Sequence, residues 1–226
     1  MRCGYTVNDV WTIDRDLVRD VAALATAVGF VGLSYGAIAL AAGLPAWAIV
    51  AMSVLVFAGG SQFLAVGLIS AGNPVAAVFA GLLLNARHLP FGLAVADVMG
   101  RGLGGRLLGS HLMTDESVAF ALAQRDPGRR RRAYWLTGMS LYVVWNIGTV
   151  AGMALAGSVG NPDVFGLDAA FPAGLLALLM SSLRERRPRR VALVGAAVAV
   201  LATPLLPAGL PVLLALVGLV VLWLPR

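Results

Sequence analysis

Residues 21–86 read VAALATAVGFVGLSYGAIALAAGLPAWAIVAMSVLVFAGGSQFLAVGLISAGNPVAAVFAGLLLNA. These 66 consecutive residues carry no formal charge, so they cannot form a water-facing surface. An α-helix rises 1.5 Å per residue, and about 20 apolar residues therefore cross the ~30 Å hydrocarbon core of a bilayer. The stretch holds roughly three such crossings, and an open strand would leave its backbone unpaired in lipid. It predicts an all-α protein that crosses the membrane several times.

The composition of the whole chain agrees with this prediction. Of its 226 residues, 59% are hydrophobic and 12% are charged, against roughly 45–50% and about 25% in soluble domains. Turn and charge signals divide the chain into seven apolar runs, at about 21–42, 46–70, 74–99, 133–157, 168–183, 191–203 and 207–224. We expect one transmembrane domain over residues 1–226 with about seven helices, or five or six if the shortest runs do not cross. A three-plus-three inverted repeat with an extra last helix fits this length.

The charges predict an orientation. All 17 basic residues are arginines and the net charge is +6, a balance that in a soluble chain would suggest a nucleic-acid partner. Here the arginines cluster between apolar runs, in 100–132 and 184–190, where the positive-inside rule predicts cytoplasmic loops and contact with anionic lipid. We therefore expect no nucleic-acid partner. With seven crossings the N-terminus is predicted to lie outside, and a short helix at 107–123 is predicted within the first basic loop.

The N-terminal segment differs from a secretory signal. Residues 9–20 contain four aspartates among apolar residues at helical spacing, whereas a signal peptide opens with a basic region. The pattern predicts an amphipathic lead-in that lies at the membrane interface. A single cysteine, Cys3, excludes an intrachain disulfide and a cysteine-rich metal site. The chain has no phosphate-binding loop motif.

Polar residues interrupt the second and third apolar runs. Residues 59–62 read GGSQ, and residues 85–90 read NARHLP. Pro90 cannot donate a backbone hydrogen bond, so it favours a helix break nearby. Interrupted helices at mid-membrane are typical of binding sites in membrane transporters.

Glycine pairs suggest close helix packing. Gly32 and Gly36 have the small-xxx-small spacing that lets two membrane helices approach closely, and Gly148 and Gly152 repeat it. Residues 32–36 also match G-x-S-x-G, the nucleophile elbow of hydrolases, but that motif needs a strand–turn–helix context. We favour the packing interpretation.

Arg87 has two interpretations. A charge at bilayer depth normally needs a partner or a water-filled cavity. Arg87 is therefore either a carboxylate-binding or gating residue beside Asn85 and His88, or a structural residue paired with an acid. The acids available for such a pair are Asp97, Asp115 and Glu116.

Three further motifs are open in the same way. Histidine changes charge near neutral pH, so His88 either couples transport to protons or stays a neutral hydrogen-bonding group. Asp115 and Glu116 follow Thr114, which is typical of a helix N-cap. Alternatively they bind a substrate ammonium or form an ion pair with Arg87. Trp145 and Asn146 lie too centrally for the aromatic belt and either line a cavity or pack in the core.

Several of these motifs occur together in one known family. Gly60-Ser61-Gln62-Phe63, Leu84-Asn85-Ala86-Arg87-His88, Thr114-Asp115-Glu116, Trp145-Asn146-x-Gly148-Thr149 and Gly166-Leu167-Asp168 follow one another in that order. This arrangement resembles the AzlC family, the large subunit of branched-chain amino acid exporters, over about residues 20–185. The resemblance implies export of valine, leucine or isoleucine by a secondary carrier without a cofactor. It also implies a small membrane partner, the AzlD-type subunit.

The residues and the resemblance lead to one hypothesis. The chain is a multi-pass carrier of a bacterial inner membrane, not an enzyme, and it moves an amino acid outward, coupled to protons. The expected substrate-binding residues are Ser61, Gln62, Asn85, Arg87, Trp145 and Asn146, and the expected proton-coupling residues are His88, Asp115 and Glu116. The alternatives are an intramembrane serine hydrolase that uses Ser34 or Ser61 with His88, and a channel.

Overall fold

The computed structural model describes residues 15–100, 102–159, 183, 186–206 and 210–223. Within these ranges every regular element is a helix. The helices are α1 Arg15–Ala41, α2 Ala46–Leu55, α3 Gly59–Ser70, α4 Pro74–Asn85, α5 His88–Ala94, α6 Leu103–His111, α7 Asp115–Leu122, α8 Pro127–Val159, α9 Arg186–Ala202 and α10 Leu210–Leu214, followed by the 3-10 helix Ala215–Trp223. The predicted fold class, an all-α polytopic membrane protein, is confirmed. All but one residue of the run predicted at 168–183 lies outside the described residues.

Three segments of the described chain are long and apolar enough to cross a membrane. They are Arg15–Ala41, Pro74–Ala94 and Pro127–Gly157. The second segment combines α4 and α5 and exposes large apolar side chains along its length, among them Phe79, Leu82 and Leu93. A soluble protein rarely exposes so continuous an apolar surface, so this face is suited to lipid.

The longest contact in the fold joins α1 to α8 through glycines. Gly29 lies against Val144, and a Cβ atom on Gly36 would collide with the backbone carbonyl of Thr149. On α8, a Cβ atom on Gly152 would collide with the carbonyl of Leu33. The predicted close packing through these glycines is confirmed, and the two motifs pack against each other.

The same contacts show that α1 and α8 are parallel. Position 29 faces 144, and position 36 faces 149, so the numbers rise together. The two helices therefore begin at one end of the bundle, where Asp16 and Asp20 share a cavity of about 530 Å³ with Arg129. We call this the basic end, because α8 begins there with Arg129 to Arg132, and the opposite end the far end. The predicted orientation, with the chain entering its first helix from the side opposite the basic segment, is wrong, because the start of α1 lies at the basic end.

Helices α2 and α3 form a hairpin that enters from the far end and returns to it. The first arm descends along α8, since Ser53 contacts Thr149 and Phe57 packs on Tyr142. The second arm lies antiparallel to α4, and α4–α5 ends at the basic end, where Arg130 of α8 donates to the carbonyl of Ala94. Arms of 10 and 12 residues are only about 15–18 Å long. Residues 46–70 therefore reach mid-depth instead of forming the single crossing that we expected.

Helices α6 and α7 form a second hairpin, which enters from the basic end. Tyr134, near the start of α8, donates to the carbonyl of Gly109, and the ring of His111 lies deeper, 5.5 Å from that of Tyr142. Helix α7 then returns, because its last turn lines the cavity that holds Arg129. Instead of the basic loop with one short helix expected at 100–132, the chain folds into this hairpin, and the arginine run 129–132 belongs to α8.

The two hairpin tips meet at mid-depth. Phe57, at the tip of α2–α3, lies 6.3 Å from His111, at the tip of α6–α7, measured between ring centroids. Each hairpin follows a crossing helix and approaches from the opposite end, so α1 with its hairpin and α4–α5 with its hairpin have inverted directions. The predicted three-plus-three inverted repeat would extend into residues outside the described ranges, and it stays a prediction.

Two expected boundaries shift in the structure. Residues 15–20 of the predicted lead-in are the first turns of α1, because the helical pattern runs on without a break, and residues 9–14 lie outside the described residues. The predicted loop at 184–190 is helical from Arg186, the first residue of α9. Helix α9 packs against the 3-10 helix through Gly195 and Gly218. These two glycines bring the backbones close, as in the α1–α8 contact.

Candidate functional site

The break between α2 and α3 occurs at a residue with unusual backbone geometry. Phe57 has φ +41°, a left-handed conformation that is costly for a residue with a side chain, of order 1–3 kcal/mol. Its ring is held edge-on against Tyr142 at 5.0 Å. Gly59 follows, and its missing side chain leaves room for the indole of Trp145, which would lie 2.9 Å from a Cβ atom. The run is interrupted as predicted, but the break lies at residues 56–58, and the predicted residues 59–62 form the first turn of α3. Aromatic packing stabilises this break.

The joint between α4 and α5 has a different cause. Pro90 has no N–H to donate to the carbonyl of Ala86. The N–H of Leu89 donates to that carbonyl instead, at 3.1 Å, and this tightens one turn at Ala86 and Arg87. The predicted interruption is confirmed as a tight turn that keeps the direction of the segment.

The two interrupted segments are joined at their breaks. The side-chain amide of Asn85 donates to the hydroxyl of Ser61 at 3.2 Å, and this hydroxyl donates to the carbonyl of Ala58 at 2.9 Å. The Nδ1 atom of His88 lies 2.9 Å from the carbonyl oxygen of Asn85. Ser61, Asn85 and His88 therefore form one polar chain between the tip of the first hairpin and the middle of α4–α5.

Arg87 pairs with an acid on the second hairpin. Its Nη1 atom lies 2.7 Å from Oδ2 of Asp115, and both side chains are about two-fifths exposed, at 40% and 42%. The other carboxylate oxygen of Asp115 is buried and has no hydrogen-bond partner. Glu116 is half-buried and forms no ion pair with a described residue. The pair links α4–α5 to α7, which is one of the two interpretations that the sequence left open.

Helix α7 begins with the cap that the sequence predicts. The hydroxyl of Thr114 accepts from the N–H of Ser117 at 3.2 Å, and the N–H of Thr114 donates to the hydroxyl of Ser117 at 2.9 Å. This reciprocal capping box fixes the first turn of the helix. Asp115 and Glu116 are therefore held in place at the N-terminus, where the helix dipole favours their negative charge.

An aromatic cluster surrounds the start of α3. The ring of Tyr35 stacks on Trp145 with centroids 5.7 Å apart, and Phe63 lies edge-on to Tyr35 at 5.5 Å. Tyr35 and Trp145 come from α1 and α8, at the positions that the glycine contact brings together. The glycine packing therefore places both rings over the first turn of α3.

Several polar atoms in and beside this cluster are buried without a hydrogen-bond partner. They are the hydroxyl of Tyr35, both amide atoms of Gln62, the indole N–H of Trp145 and Oδ1 of Asn85. The side chain of Gln62 lies beside the hydroxyl of Tyr35, but the two groups lack hydrogen-bond geometry. A buried polar atom without a partner costs roughly 1–3 kcal/mol. Such a group is suited to a polar ligand, which would supply the missing partners.

Asn146 lies apart from these residues. Its Oδ1 accepts from the hydroxyl of Ser53 at 2.8 Å, and its Nδ2 donates to the carbonyl of Tyr142 at 2.8 Å. The amide therefore has partners and joins α2 to α8. Of the six expected substrate-binding residues, the structure brings Ser61, Gln62, Asn85 and Trp145 around the start of α3, places Arg87 two residues beyond Asn85, and leaves Asn146 in the helix contact.

Within the described ranges, the serine–histidine pair of the hydrolase alternative is not formed. The hydroxyl of Ser34 is buried without a partner, and that of Ser61 bonds to Ala58 and Asn85. Among the described residues, neither hydroxyl bonds to His88, whereas a nucleophilic serine needs a base within reach. Over the same ranges, no three His, Cys, Asp or Glu side chains converge to hold a metal ion.

Two residues near the site were missed as site residues in the sequence. Tyr35 is an uncharged polar residue in the middle of an apolar run, and this is a signal that marks a buried hydroxyl. His111 packs on Phe57 and Tyr142 at the hairpin tips. Nothing in its local sequence indicates this position, since it depends on the hairpin.

A family model matches residues 23–159 of the chain, which contain α1 to the end of α8 apart from the first turns of α1. The model describes the AzlC protein. The chain belongs to the AzlC family. Residues 61, 62, 85, 87, 115, 116 and 145, together with the two hairpins, all lie within the part that defines this family.

Individual relatives of the AzlC family member described here come from several organisms. Over 199 residues the chain is 29% identical to the branched-chain amino acid transport protein AzlC of Bacillus subtilis. The aligned part covers 84% of this chain and 76% of that protein. It is 31% identical over 182 residues, 75% of each chain, to an uncharacterized membrane protein of Archaeoglobus fulgidus. An uncharacterized membrane protein of Haemophilus influenzae is 24% identical over 176 residues, 75% of this chain and 71% of that one. No solved structure matches the chain.

Proposed function

We propose that this protein is the large subunit of a secondary carrier that exports branched-chain amino acids. The observation that carries this proposal is the relationship to the Bacillus subtilis protein, which is named as a branched-chain amino acid transport protein. The geometry supports a carrier, because two hairpins from opposite ends meet interrupted helices at mid-depth. This arrangement is typical of transporter sites, where freed backbone and half-helix ends face the substrate.

The proposed orientation places the basic end in the cytoplasm. The run from Arg129 to Arg132 begins α8 at this end, and arginines are retained on the cytoplasmic side of bacterial membranes. The protein is then a multi-pass protein of the inner membrane with its N-terminus inside. Export starts at the basic end, between α5 and the α6–α7 hairpin.

A zwitterionic substrate fits the ion pair of Arg87 and Asp115, which lies at the inner end of this path, where α7 begins at the hairpin tip. We call this ion pair the mouth of the site. Its carboxylate is suited to Arg87, and its ammonium to the carboxylates of Asp115 and Glu116. The substrate would insert between Arg87 and Asp115, so that two new ion pairs replace the one at 2.7 Å. Both side chains are partly exposed, which leaves them accessible from the cytoplasm.

Export against a gradient needs a driving force, and the acids offer one. A proton and a substrate ammonium compete for the same carboxylate, because protonation removes the charge that binds the ammonium. Asp115 or Glu116 would therefore bind a proton on the return of the empty carrier and release it when substrate binds. Because the proton and the substrate ammonium exclude each other from this carboxylate, the carrier would exchange protons for amino acid. His88, bonded to the backbone of Asn85, is the second proposed proton-coupling residue.

A small membrane subunit of the AzlD type completes the proposal. The family resemblance supports this partner, and the chain alone is expected to have little activity. Co-expression tests it directly: export should rise at least several-fold when the co-encoded small subunit is present. Equal export from the large chain alone would contradict the requirement for a partner.

Counterflow in proteoliposomes tests the transport function. Vesicles loaded with unlabelled leucine should accumulate radiolabelled leucine, isoleucine and valine transiently and with saturation, and lysine or glutamate should not exchange. Reconstitution uses both subunits, so that a missing partner does not cause a negative result. Absence of exchange for every branched-chain amino acid would overturn the proposal, and linear flux without saturation would indicate a channel.

Substitution at the mouth tests the site. Arg87→Ala removes the only cation proposed for the carboxylate, and we expect export below a tenth of the wild-type rate with normal membrane insertion. Arg125→Ala is the matched control, since Arg125 is an exposed arginine beyond the last turn of α7, at the basic end, and is not part of the proposed site. Full export by well-inserted Arg87→Ala would remove this residue from the substrate path.

A further inference from the structure

The N-terminus of α3 lies at mid-depth, where Gly59 and Gly60 are partly buried, and it is not capped by a side chain. Ala58 precedes it, and no side chain accepts from its first turn. By contrast, Asn73 caps α4 and Thr114 caps α7. The first N–H groups of an α-helix have no partner within the helix and carry its positive dipole end. The start of α3 is therefore suited to an anion.

The side chains around this N-terminus point independently to a polar ligand. Tyr35 and Gln62 are fully buried and Trp145 is 4% exposed, yet the hydroxyl, the amide and the indole N–H all lack partners. These groups supply up to four hydrogen-bond donors, because the amide has two. Gly59 keeps the first turn of α3 open to the indole.

We propose that the first turn of α3, with Tyr35, Gln62 and Trp145, binds the carboxylate of the transported amino acid in its occluded state. This inference rests on the proposed function and adds a resting place beyond the mouth at Arg87. A carboxylate has acceptor sites only, so it matches a pocket that presents donors. Half-helix N-termini are well suited to such a group because their dipoles favour negative charge.

The opposite side of the same turn is suited to the ammonium group. Oδ1 of Asn85 is buried without a partner, and the amide nitrogen of this residue already donates to Ser61. The free atom is an acceptor, which an ammonium can use. Donors on the side of α1 and α8 and an acceptor on the side of α4 would hold the two charged groups of one amino acid. Arg87 and Asp115 then act at the mouth and re-form their pair after the substrate has passed.

The test separates the carboxylate contact from general damage. Tyr35→Phe removes one hydroxyl, and Gln62→Leu removes the amide at similar volume. The controls are Tyr134→Phe, which removes a buried hydroxyl bonded to Gly109, and Thr137→Val, which removes a buried hydroxyl without a partner elsewhere on α8. Leucine counterflow is measured with leucinamide as competitor, because leucinamide keeps the ammonium and lacks the carboxylate.

We expect the KM for leucine to rise about tenfold or more in Tyr35→Phe and in Gln62→Leu, as for loss of a hydrogen bond to a charged group. The ratio of leucine to leucinamide affinity should fall in the same variants, while both controls stay within about twofold of wild type. In Arg87→Gln the rate should fall and the ratio should persist. In each variant the ratio is measured on the leucine exchange that remains, by letting unlabelled leucine or leucinamide compete with tracer amounts of radiolabelled leucine.

Three results would overturn the inference. The first is an unchanged KM and ratio in both pocket variants, and the second is a ratio that collapses in Arg87→Gln alone. The third applies if a pocket variant does not fold: leucinamide competing as well as leucine in the wild type would show that no carboxylate contact exists. A wild type that transports no amino acid would instead overturn the proposed function, so the two failures are distinguishable.

Discussion

Replacing Gly36 by alanine should separate α1 from α8 and destabilise the protein. A Cβ atom there would collide with the carbonyl of Thr149, and at Gly32 it would lie 2.8 Å from the carbonyl of Trp145. An ordinary contact begins near 3.4 Å, so the gentler case, Gly32, already requires a shift of about 0.6 Å (3.4 − 2.8). Overpacking of this kind costs about 1–3 kcal/mol. At roughly 2–4 °C per kcal/mol for a chain of this size, Gly36→Ala should lower the Tm by about 2–12 °C.

Gly67→Ala is the matched control for this experiment. Gly67 also lies within a helix, α3, but a Cβ atom there would have no neighbour within 4 Å. Alanine at such a position restricts the unfolded chain and adds about 0.4–1 kcal/mol of stability. Thermal unfolding in detergent, followed by the fraction that stays monodisperse, compares the two variants. A Gly36→Ala protein as stable as Gly67→Ala would refute the close contact, and with it the register that stacks Tyr35 on Trp145.

Three further predictions test the orientation and the proton coupling. In intact cells an impermeant maleimide should not label Cys3. It should label a cysteine that replaces Gly43 in a chain lacking Cys3. Labelling of Cys3 without labelling at position 43 would indicate the opposite orientation. His88→Gln should flatten the pH dependence of export without abolishing it, and an unchanged profile would exclude His88 from coupling. The double variant Asp115→Asn with Glu116→Gln should uncouple exchange from a pH gradient and raise the KM for leucine counterflow, because both carboxylates are proposed to bind the ammonium. Gradient-driven export at the wild-type rate would contradict competition between proton and ammonium.

The helix breaks could be predicted from the sequence because their causes are local. Pro90 removes one hydrogen bond wherever its helix lies, and the glycines at 59 and 60 weaken a helix in any context. The packing of Gly32 and Gly36 is a similar case, since close approach needs a small residue on each partner helix. These features depend on covalent structure that a reader of the sequence sees directly.

The hairpins could not be predicted, because their cause is not local. Residues 46–70 are long and apolar enough for one crossing, and the reversal occurs at Phe57, a residue that disfavours a left-handed backbone. Its conformation is stabilised by Tyr142 and His111, which are distant in sequence. The predicted orientation is wrong for the same reason, because one segment that turns back instead of crossing changes the side on which every earlier helix begins.

The candidate site was predictable in its residue types more than in its partners. Asn85, Ser61 and Gln62 were expected together and the structure joins the first two directly. The ion pair of Arg87 with Asp115 was one of several open alternatives, because a sequence cannot rank three acids by distance. Asn146 resembled a cavity residue because it is polar and central, but its partner Ser53 comes from a helix 93 positions away.

The meeting of the two hairpin tips has an electrical consequence. Each hairpin is only half as long as a crossing helix, so aqueous vestibules that follow the arms inward from both ends would be separated by a partition near Ser61 and Asn85. A membrane voltage then falls mostly across that thin partition, where the full drop is worth about 2.3 kcal/mol per charge at 100 mV. A proton that moves a few ångströms between the vestibules would thus experience nearly the whole transmembrane potential, and a small rearrangement of the tips would suffice to use it.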